Sequence, residues 1–329
     1  MAITLAEAKV GMANHVDQHV VELFQRDSLL MDALTYDDAI SPGTGGSTLV
    51  YGYVQELSPS TAATRQINNE YTANEAKRTP KTTQAIIMGG SFEVDRVIQA
   101  TSGAVNEIGY QLQKKIRATA NEFHNTLVNG SKEAVDAGYV VNTFDGLRKL
   151  VAGTANDFTT TVDVSTGAKR ASAGHDLLDE LDALIASILG GADMLLMNSK
   201  MLNVVRSIAR RAGFHEQTRD ELGRVVETYN GIPMVDLGTY YDAQQGAEVD
   251  VLANDTTSGV KGSIIAVHYD LLEGFHGISP MGGGASLIKT YLPDLSAPGA
   301  VKKGEVELVA GCALKNTKAA GILKGIKIG

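Results

Sequence analysis

The sequence predicts a mixed α+β protein, because a long helix and an extended polar segment stand beside a region of alternating helices and strands. Residues 101–128 hold no proline and repeat apolar side chains every three or four positions, which is the spacing of one helix face. Residues 57–81 contain only two aliphatic side chains larger than alanine, Leu57 and Ile67. Residues 175–291 alternate amphipathic helices with short apolar strands, so we expect a lobe built on a sheet there.

The bulk composition is that of a folded protein large enough for two subdomains. The chain has 329 residues, of which 43% are hydrophobic and 20% are charged. Its net charge of −9 argues against a dedicated nucleic-acid-binding protein, which is normally basic. The one cysteine, Cys312, lies in an apolar stretch without an intrachain partner, so we expect a buried thiol and a reducing compartment. Neither a secretory signal nor a bilayer-spanning run is visible.

The N-terminal part of the chain is predicted to be an arm followed by an extended loop. Residues 1–40 favour an arm with one short helix. Residues 41–92 favour the extended loop, which begins at a cluster of turn residues. Strand patterns occur within it at 48–54 and again over residues 85–94, so we expect two strands that run out and back.

The polar segment inside this loop is open to two interpretations. A long segment with few apolar side chains is either a flexible surface loop or a projecting arm that a neighbouring copy of the chain orders. We favour the projecting arm, because ordered loops of this length are usually functional. The predicted contacts between subunits are Arg65, Glu70, Glu75, Lys77, Arg78 and Lys81.

The predicted long helix at residues 101–128 is the main element that follows the loop. Asn129 and Gly130 supply its stop signal. At 1.5 Å per residue its length would be about 40 Å, which exceeds that of most helices in globular proteins. We therefore expect a spine against which other parts of the chain, or other subunits, pack. Its predicted core residues are Val105, Ile108, Leu112, Ile116, Phe123 and Leu127.

Beyond a polar connection at residues 152–174, the pattern predicts an α+β or α/β lobe and then two terminal strands. Helices are expected over residues 177–188 and from Ser199, which can cap the second helix. Pro233 cannot donate to a strand ladder, so the strand at 232–235 is expected at a sheet edge. The other predicted features are strands at 194–197, 264–267, 285–291, 305–309 and 319–328, and a polar loop at 214–230.

A search for catalytic, cofactor-binding or metal-binding residues finds none, so an enzyme is not expected. His15 and His19 have the spacing of a zinc pair, but Val16 stands where the HExxH pattern requires glutamate. The glycine clusters at residues 43–46 and 282–284 precede strands, whereas phosphate-binding loops precede helices. The remaining candidates are interpreted as solvated or helix-terminal charges: Arg206, Arg210, Arg211, His215, Glu216, Asp220 and Glu221.

Several short segments, taken in order, resemble the major capsid proteins of tailed bacteriophages with the HK97-type fold. The segments are SPGTGGSTL at 41–49, GGSFEVD at 89–95, FDGL at 144–147, ADMLLMN at 192–198, GIPMV at 231–235 and AAGILKGI at 319–326. The resemblance covers nearly the whole chain and rests on the order of the segments. It implies an N-terminal arm (1–40), an extended loop (41–92), a peripheral domain (93–172 and 293–329) that contains the spine helix, and an axial domain (173–292).

The resemblance also implies a function. Proteins of this family are structural and assemble as hexamers and pentamers into an icosahedral shell around double-stranded DNA, with the extended loop over a neighbouring subunit. The implied partners are copies of the chain itself, separate scaffolding and portal proteins, and decoration proteins, with no sequence-specific DNA contact, no cofactor and no membrane. The protein would then reside in the virion and assemble in the cytoplasm of the bacterial host.

Two other functions remain as alternatives. An encapsulin-like compartment shares the fold but packages enzymes instead of a genome, and a cargo-peptide groove on the inner face of the N-terminal helix would identify it. An enzyme built on the lobe at 175–291 would need titratable groups that converge on a pocket. Some capsid proteins of the resembled family also crosslink lysine to asparagine. Lys77 and Lys81 lie in the extended loop, but no acceptor or catalytic glutamate can be assigned to them.

Overall fold

A computed structural model of the protein describes most of the chain. The described residues are 30, 33–38, 49–101, 107–133, 135–136, 139–140, 143–213, 216–219, 225–243, 245–280 and 287–329. Several expectations therefore lie outside the described residues. They concern the N-terminal helix, His15 and His19, both glycine clusters, Val105, and the side chains of His215, Glu216, Asp220 and Glu221.

The described chain contains both helices and strands, and among the described residues no α-helix lies between residues 216 and 327. The helices are α1 (Arg96–Thr101), α2 (Glu107–Asn129), α3 (Leu147–Val151), α4 (Gly167–Ser172), α5 (Gly174–Ser187) and α6 (Ser199–Ala212). The strands up to residue 200 are β1 (Tyr36–Asp37), β2 (Val50–Ser58), β3 (Lys77–Gln84), β4 (Ile86–Asp95), β5 (Val135–Asp136), β6 (Tyr139–Val140), β7 (Asp157–Thr159) and β8 (Met194–Met197). The later strands are β9 (Glu216–Arg219), β10 (Val225–Tyr229), β11 (Ile232–Asp236), β12 (Thr239–Asp242), β13 (Ala247–Asp250), β14 (Lys261–Val267), β15 (Phe275–Ile278), β16 (Ile288–Tyr291), β17 (Val301–Leu314) and β18 (Ala320–Lys327).

One lobe is built on a seven-stranded sheet with the order β7-β18-β14-β8-β11-β10-β9. Its central strand β8 pairs antiparallel with β14 and parallel with β11. The apolar stripe predicted for α5 is buried in the core of this lobe through Leu177, Leu181 and Leu184. Helix α6 contributes Met201, Val205 and Ile208 to the same core, so both helices cover the sheet with their apolar faces.

Two local expectations for this lobe, the cap of α6 and the polar loop, need correction. Asn198, not Ser199, caps α6, and its side-chain oxygen accepts the backbone N–H of Met201 at 2.8 Å. The polar segment expected to be a loop contains β9 and β10. Strands β10 and β11 are joined by Asn230 and Gly231, both at positive φ (51° and 78°), which is the geometry of a two-residue hairpin turn.

The strand that contains Pro233 is internal and not at an edge of the sheet. Strand β11 lies between β8 and β10. Pro233 faces Thr228 of β10, and pairing with β8 begins only at Met234. The proline therefore lies just outside the β8 ladder, which is how an internal strand tolerates it.

A second sheet is organised around the long strand β17. Strand β4 pairs along one edge of β17 over residues 86–95. Strands β15 and β16 pair along the other edge, and β1 adds to β15 in parallel. Phe123 and Leu127 of α2 are buried in the adjoining core, where the ring of Phe123 meets that of Phe144 edge to face at 6.1 Å.

The two terminal strands lie in different sheets. Strand β18 pairs with β14 and β7 in the seven-stranded sheet, whereas β17 belongs to the second sheet. The resemblance implied that both strands belong to the peripheral domain. It also implied that residues 275–291, which contain β15 and β16, belong to the axial domain. Alternating side chains predict that a strand exists but carry no information about its partner. A short 3₁₀ turn, Thr317–Ala319, carries the chain from one sheet to the other.

The spine helix is only half embedded in the core. Its described part, α2, spans Glu107–Asn129, in agreement with the expected position. Phe123 and Leu127 are buried, but Ile108, Leu112 and Ile116 are only partly buried in the single chain. The N-terminal half of the predicted apolar stripe therefore retains exposed surface, which other parts of an assembly can cover.

Candidate assembly interfaces

A two-stranded hairpin, formed by β2 and β3, leaves the body of the protein before the spine. The strands pair from Val50 opposite Gln84 to Ser58 opposite Lys77. The expected return strand at residues 85–94 is instead β4, which pairs with β17. The true return strand is polar and contains Pro80. An isolated ribbon buries neither face, so its strands need no apolar alternation, and the sequence pattern could not reveal this one.

The root of the hairpin is held against the end of the second sheet by side-chain hydrogen bonds. Tyr53 donates its hydroxyl to the Leu314 carbonyl at 3.2 Å, and Gln55 Nε2 donates to the Lys315 carbonyl at 2.9 Å. From the other strand, Thr83 donates to the Cys312 carbonyl at 2.9 Å. These bonds fix both strands of the hairpin to residues 312–315 and therefore set the direction in which it leaves the body.

Tyr51 lies at the centre of this root. It is buried in a small apolar cluster with Ala85, Ile278 and Ala313 that is separate from the two main cores. Its hydroxyl donates to Asp37 Oδ2 at 2.8 Å. Burial of the phenol, followed by the hydrogen bond to the Asp37 carboxylate, raises the pKa of Tyr51 above its usual range. Tyr51 thus remains a hydrogen-bond donor at any physiological pH.

The outer part of the hairpin projects away from the body. Residues 59–76 are exposed throughout. Their contacts are internal: Asn74 Nδ2 donates to Thr61 Oγ1 at 2.7 Å, and the Arg65 guanidinium lies 5.5 Å from the centre of the Tyr71 ring. Ile67 is 88% exposed and Tyr71 is 62% exposed, so the tip presents apolar surface that the described part of the chain leaves largely uncovered.

All six charged residues that the sequence singled out lie on this hairpin and are exposed. Arg65, Glu70 and Glu75 lie in the tip, and Lys77, Arg78 and Lys81 lie on β3. None of them forms an ion pair with another residue in the described part of the chain. The structure thus places them on one projecting element, and which of them contact another subunit stays a prediction.

A second exposed apolar surface lies at the end of the second sheet and was not predicted. Strand β16 ends at Tyr291, and the following connection returns to β17 at Val301, which pairs with Asp95 at the end of β4. Lys302 Nζ donates to the Ala297 carbonyl and holds this connection in place. The exposed apolar side chains at this end of the sheet are Val97, Tyr291, Leu292, Leu295 and Val301.

The basic stripe on α6 has a structural role. Arg206 Nε lies 2.6 Å from Glu227 Oε1 of β10. Arg211 Nη1 donates to the Gly167 carbonyl at the start of α4 at 2.8 Å. Arg210 Nε lies 3.4 Å from the Arg206 carbonyl within the helix. These contacts tie α6 to its neighbours in the seven-stranded lobe.

No catalytic centre emerges from the described residues. A surface cavity of about 320 Å³ is lined by Lys149 and Lys324, but both are paired, with Glu133 at 2.9 Å and Asp157 at 2.6 Å. Cys312 is fully buried, and burial raises the pKa of its thiol above the usual range, so it is unsuited to nucleophilic chemistry. Within the described ranges, no three or more His, Cys, Asp or Glu side chains form a group that could hold a metal ion.

The described helices also lack any segment long and apolar enough to span a bilayer.

Comparison with known proteins adds a family and a fold. A family model described as SU10 major capsid protein matches residues 8–240. No curated protein matches the sequence.

Among solved structures, similar chains include the holo-SrpI encapsulin complex from Synechococcus elongatus PCC 7942, at 16% identity and a TM-score of 0.64, covering 99% of this chain and 97% of that one. The capsid of Myoviridae phage XM1 matches at 13% identity and a TM-score of 0.58, covering 99% of both chains. A chain from Mycobacterium phage Ogopogo matches at 12% identity and a TM-score of 0.58, covering 98% of this chain and 99% of that one. Identities this low establish the fold, and the expected HK97-type architecture is confirmed.

Proposed function

The chain belongs to the SU10 major capsid protein family and is a structural capsid protein, and from that premise we propose how it builds a shell. Copies of the chain associate into hexamers and pentamers that close into an icosahedral shell around double-stranded phage DNA. Each projecting hairpin lies over a neighbouring subunit. The observation that carries this proposal is the hairpin itself, which is anchored at its root and uncovered at its tip.

The physics of the hairpin supports contact with another copy. Residues 59–76 stay exposed in the single chain, so ordering them costs conformational entropy that internal contacts only partly offset. An apolar tip with Ile67 at its end gains free energy once another surface covers it. In a closed symmetric shell every subunit both gives and receives such a contact, so modest single contacts add up.

The two lobes carry different elements, which supports different contacts for each lobe in the shell. The lobe with the long strand β17 and the spine α2 carries the hairpin root and the apolar sheet end, and we assign it the contacts around the periphery of a capsomer. The seven-stranded lobe would point toward the local symmetry axis. The chain passes between the two lobes before β7, between β14 and β15, and between β17 and β18.

The remaining partners follow from the role of a DNA container. A shell needs no base readout, which agrees with a net charge of −9. We propose that separate scaffolding and portal proteins guide assembly in the host cytoplasm, that decoration proteins can bind the finished shell, and that the mature protein resides in the virion.

An encapsulin-like compartment is the alternative that a specific observation favours. The similarity to the encapsulin from Synechococcus elongatus, at a TM-score of 0.64, is higher than that to the XM1 capsid, at 0.58. Both values describe fold and not contents. The family match is to a capsid protein, which favours the genome container.

Electron microscopy and light scattering of the purified protein test the proposal. Closed polyhedra, tubes or capsomer rings are the expected result, because the hairpin tips find partners in neighbouring copies. Absorbance ratios and protein gels of particles isolated from infected cells then separate DNA from cargo enzymes. A protein that stays monomeric with crowding agents and with co-expressed scaffold candidates would contradict self-assembly.

A further inference from the structure

A buried histidine lies directly beneath the root of the hairpin. His276 is in β15, the strand between β1 and β17, and its side chain is 0% exposed. The Tyr51 ring packs against it nearly at right angles, with ring centres 5.9 Å apart. The hairpin therefore rests on an ionisable ring, and a change in the charge of that ring acts at the point where the hairpin is held.

The hydrogen bonding of His276 leaves one ring nitrogen ready to take up a proton. Nδ1 lies 3.4 Å from the Gly274 carbonyl, so the tautomer that uses this contact keeps its proton there. Nε2 has no hydrogen-bond partner among the described residues, although it is buried. Its lone pair is unsatisfied in the packed root, which is an uncommon state for a buried polar atom.

Charged and titratable groups face His276 from each element packed around it. Lys315 follows β17, and its Nζ lies 5.6 Å from the centre of the Tyr51 ring and 4.0 Å from Asp37 Oδ2. Lys315 Nζ also donates to the Leu271 carbonyl at 2.6 Å, so this cation is held in place. The titratable and charged groups around His276 are Asp37 on β1, Tyr51 and its neighbour Tyr53 on β2, Asp270 before β15, and Lys315 after β17.

The environment keeps His276 neutral while the root is packed. Burial lowers the pKa of His276 below its usual range, and the charge of Lys315 lowers it further. The Gly274 carbonyl, Asp37 and Asp270 act in the opposite direction, and the net shift is downward. A protonated ring would therefore be a buried cation near another cation, and exposing it to water would relieve the cost.

We propose that the root of the hairpin is a proton-sensitive latch, in which protonation of His276 in mild acid unpacks Tyr51 and frees the hairpin to change its angle. The effect of the latch on assembly rests on the proposed function, because a freed hairpin would contact a neighbouring subunit at a different angle. The opening of the root itself does not depend on that function. The hydrogen bonds to the carbonyls of residues 312–315 are the contacts that open with it.

The sign and size of the effect follow from linkage. The pKa of His276 is lower in the packed state than in the open state, so packing is stable above the open-state pKa and is lost as the pH falls below it. An open-state pKa near the ordinary value of about 6.5 predicts that the population of open roots rises between pH 7.5 and pH 5.5, by at most about tenfold.

Hydrogen exchange of the unassembled full-length protein tests the latch. After correction for the intrinsic pH dependence of exchange, peptides that cover residues 49–56 and 311–316 should exchange more than twofold and up to about tenfold faster at pH 5.5 than at pH 7.5. Peptides from β14 should change less than twofold. Equal exchange rates of the root at both pH values would overturn the proposal. An increase in exchange rate of the same size throughout both lobes would overturn it as well.

Two substitutions sharpen the test. His276→Gln removes the titrating ring, so the root should lose its pH response and change less than twofold. His268→Gln is the matched control, because His268 is partly exposed and pairs with Asp193 at 2.8 Å, away from the hairpin. It should keep the response of the unaltered protein.

A full response in H276Q would overturn the latch. If that variant fails to fold, the regional pattern of the unaltered protein decides alone. The proposed function has a separate test, because it fails if the unaltered protein stays monomeric with crowding agents and with co-expressed scaffold candidates.

Discussion

Replacing the hairpin tip tests the assembly role of the hairpin without disturbing the fold of the subunit. Ser58 and Lys77 are cross-strand partners, so the chain can turn between them once residues 59–76 are removed. An Asn-Gly pair is the natural replacement, because it forms the two-residue turn that suits the twist of a hairpin. Both strands and every hydrogen bond of the root then remain in place.

The free energy of unfolding of the subunit should not fall. Every removed residue is exposed, so the core loses no buried area. Shortening the connection to two residues reduces the loop-closure entropy, at about 0.6 kcal/mol for each halving of its length. We expect the subunit to become more stable by up to about 2 kcal/mol, which denaturation in urea measures.

Assembly should weaken strongly. Burial of one large aliphatic side chain contributes about 1.5–3 kcal/mol, and Ile67 is 88% exposed in the single chain. Since about 1.4 kcal/mol corresponds to a tenfold change in an equilibrium constant, loss of the Ile67 contact alone raises the protein concentration needed for assembly roughly ten- to one-hundred-fold. Tyr71 and the charged residues of the tip add to this loss.

Light scattering over a range of protein concentrations, with electron microscopy of the products, measures the assembly threshold. Leu272→Ala is the control, because Leu272 is 78% exposed but lies outside the hairpin. It should assemble at the concentration of the unaltered protein, whereas the tip replacement and Ile67→Ala should not. Normal shells from the tip replacement at the usual concentration would refute the reasoning, and an unfolded subunit would show that the tip supports the fold.

Four further substitutions probe the body of the subunit through urea denaturation and assembly assays. Phe123→Ala should lower the free energy of unfolding by about 3–5 kcal/mol, because Phe123 is fully buried. Leu112→Ala, at a half-buried position, should lower it by less than half as much. Equal losses for the two variants would contradict the burial pattern. Asn198→Ala should cost about 2–4 kcal/mol, because it removes a helix cap and leaves the buried Leu252 carbonyl without its donor at 2.8 Å. Cys312→Ser should cost only about 1–2 kcal/mol and leave assembly intact, and a strict thiol requirement would contradict this.

Elements with a strong side-chain period were predictable. The apolar stripe of α5, the short buried strand β8 and the lower half of the spine at Phe123 and Leu127 all lie where the pattern placed them. Helices α5 and α2 pack one face on a core, so burial imposes a period that their sequences must carry. Strand β8 is buried on both faces and was recognisable as a short continuous apolar run. The outer strand β3 has no buried face, and its polar sequence gave no such signal.

The candidate interfaces were predictable only in part. The shortage of apolar residues at 57–81 pointed to a projecting element, and the six charged residues lie on it. The apolar sheet end at Leu292 and Leu295 was missed, because a few apolar residues in a connection look the same whether buried or exposed. The burial of a residue depends on which distant segments pack against it, and the local sequence does not determine those segments.

The sequence by itself determined the mixed α+β class, the spine, the projecting segment and, through the order of its motifs, the capsid resemblance. Only the tertiary structure decided which strands pair, and it separated β17 and β18 into different sheets and set β4 beside β17. It also placed His276 beneath Tyr51, from a strand far along the chain. The physical reason is that periodicity records which face of an element is buried, whereas strand partners and contacts are chosen by packing between segments distant in sequence.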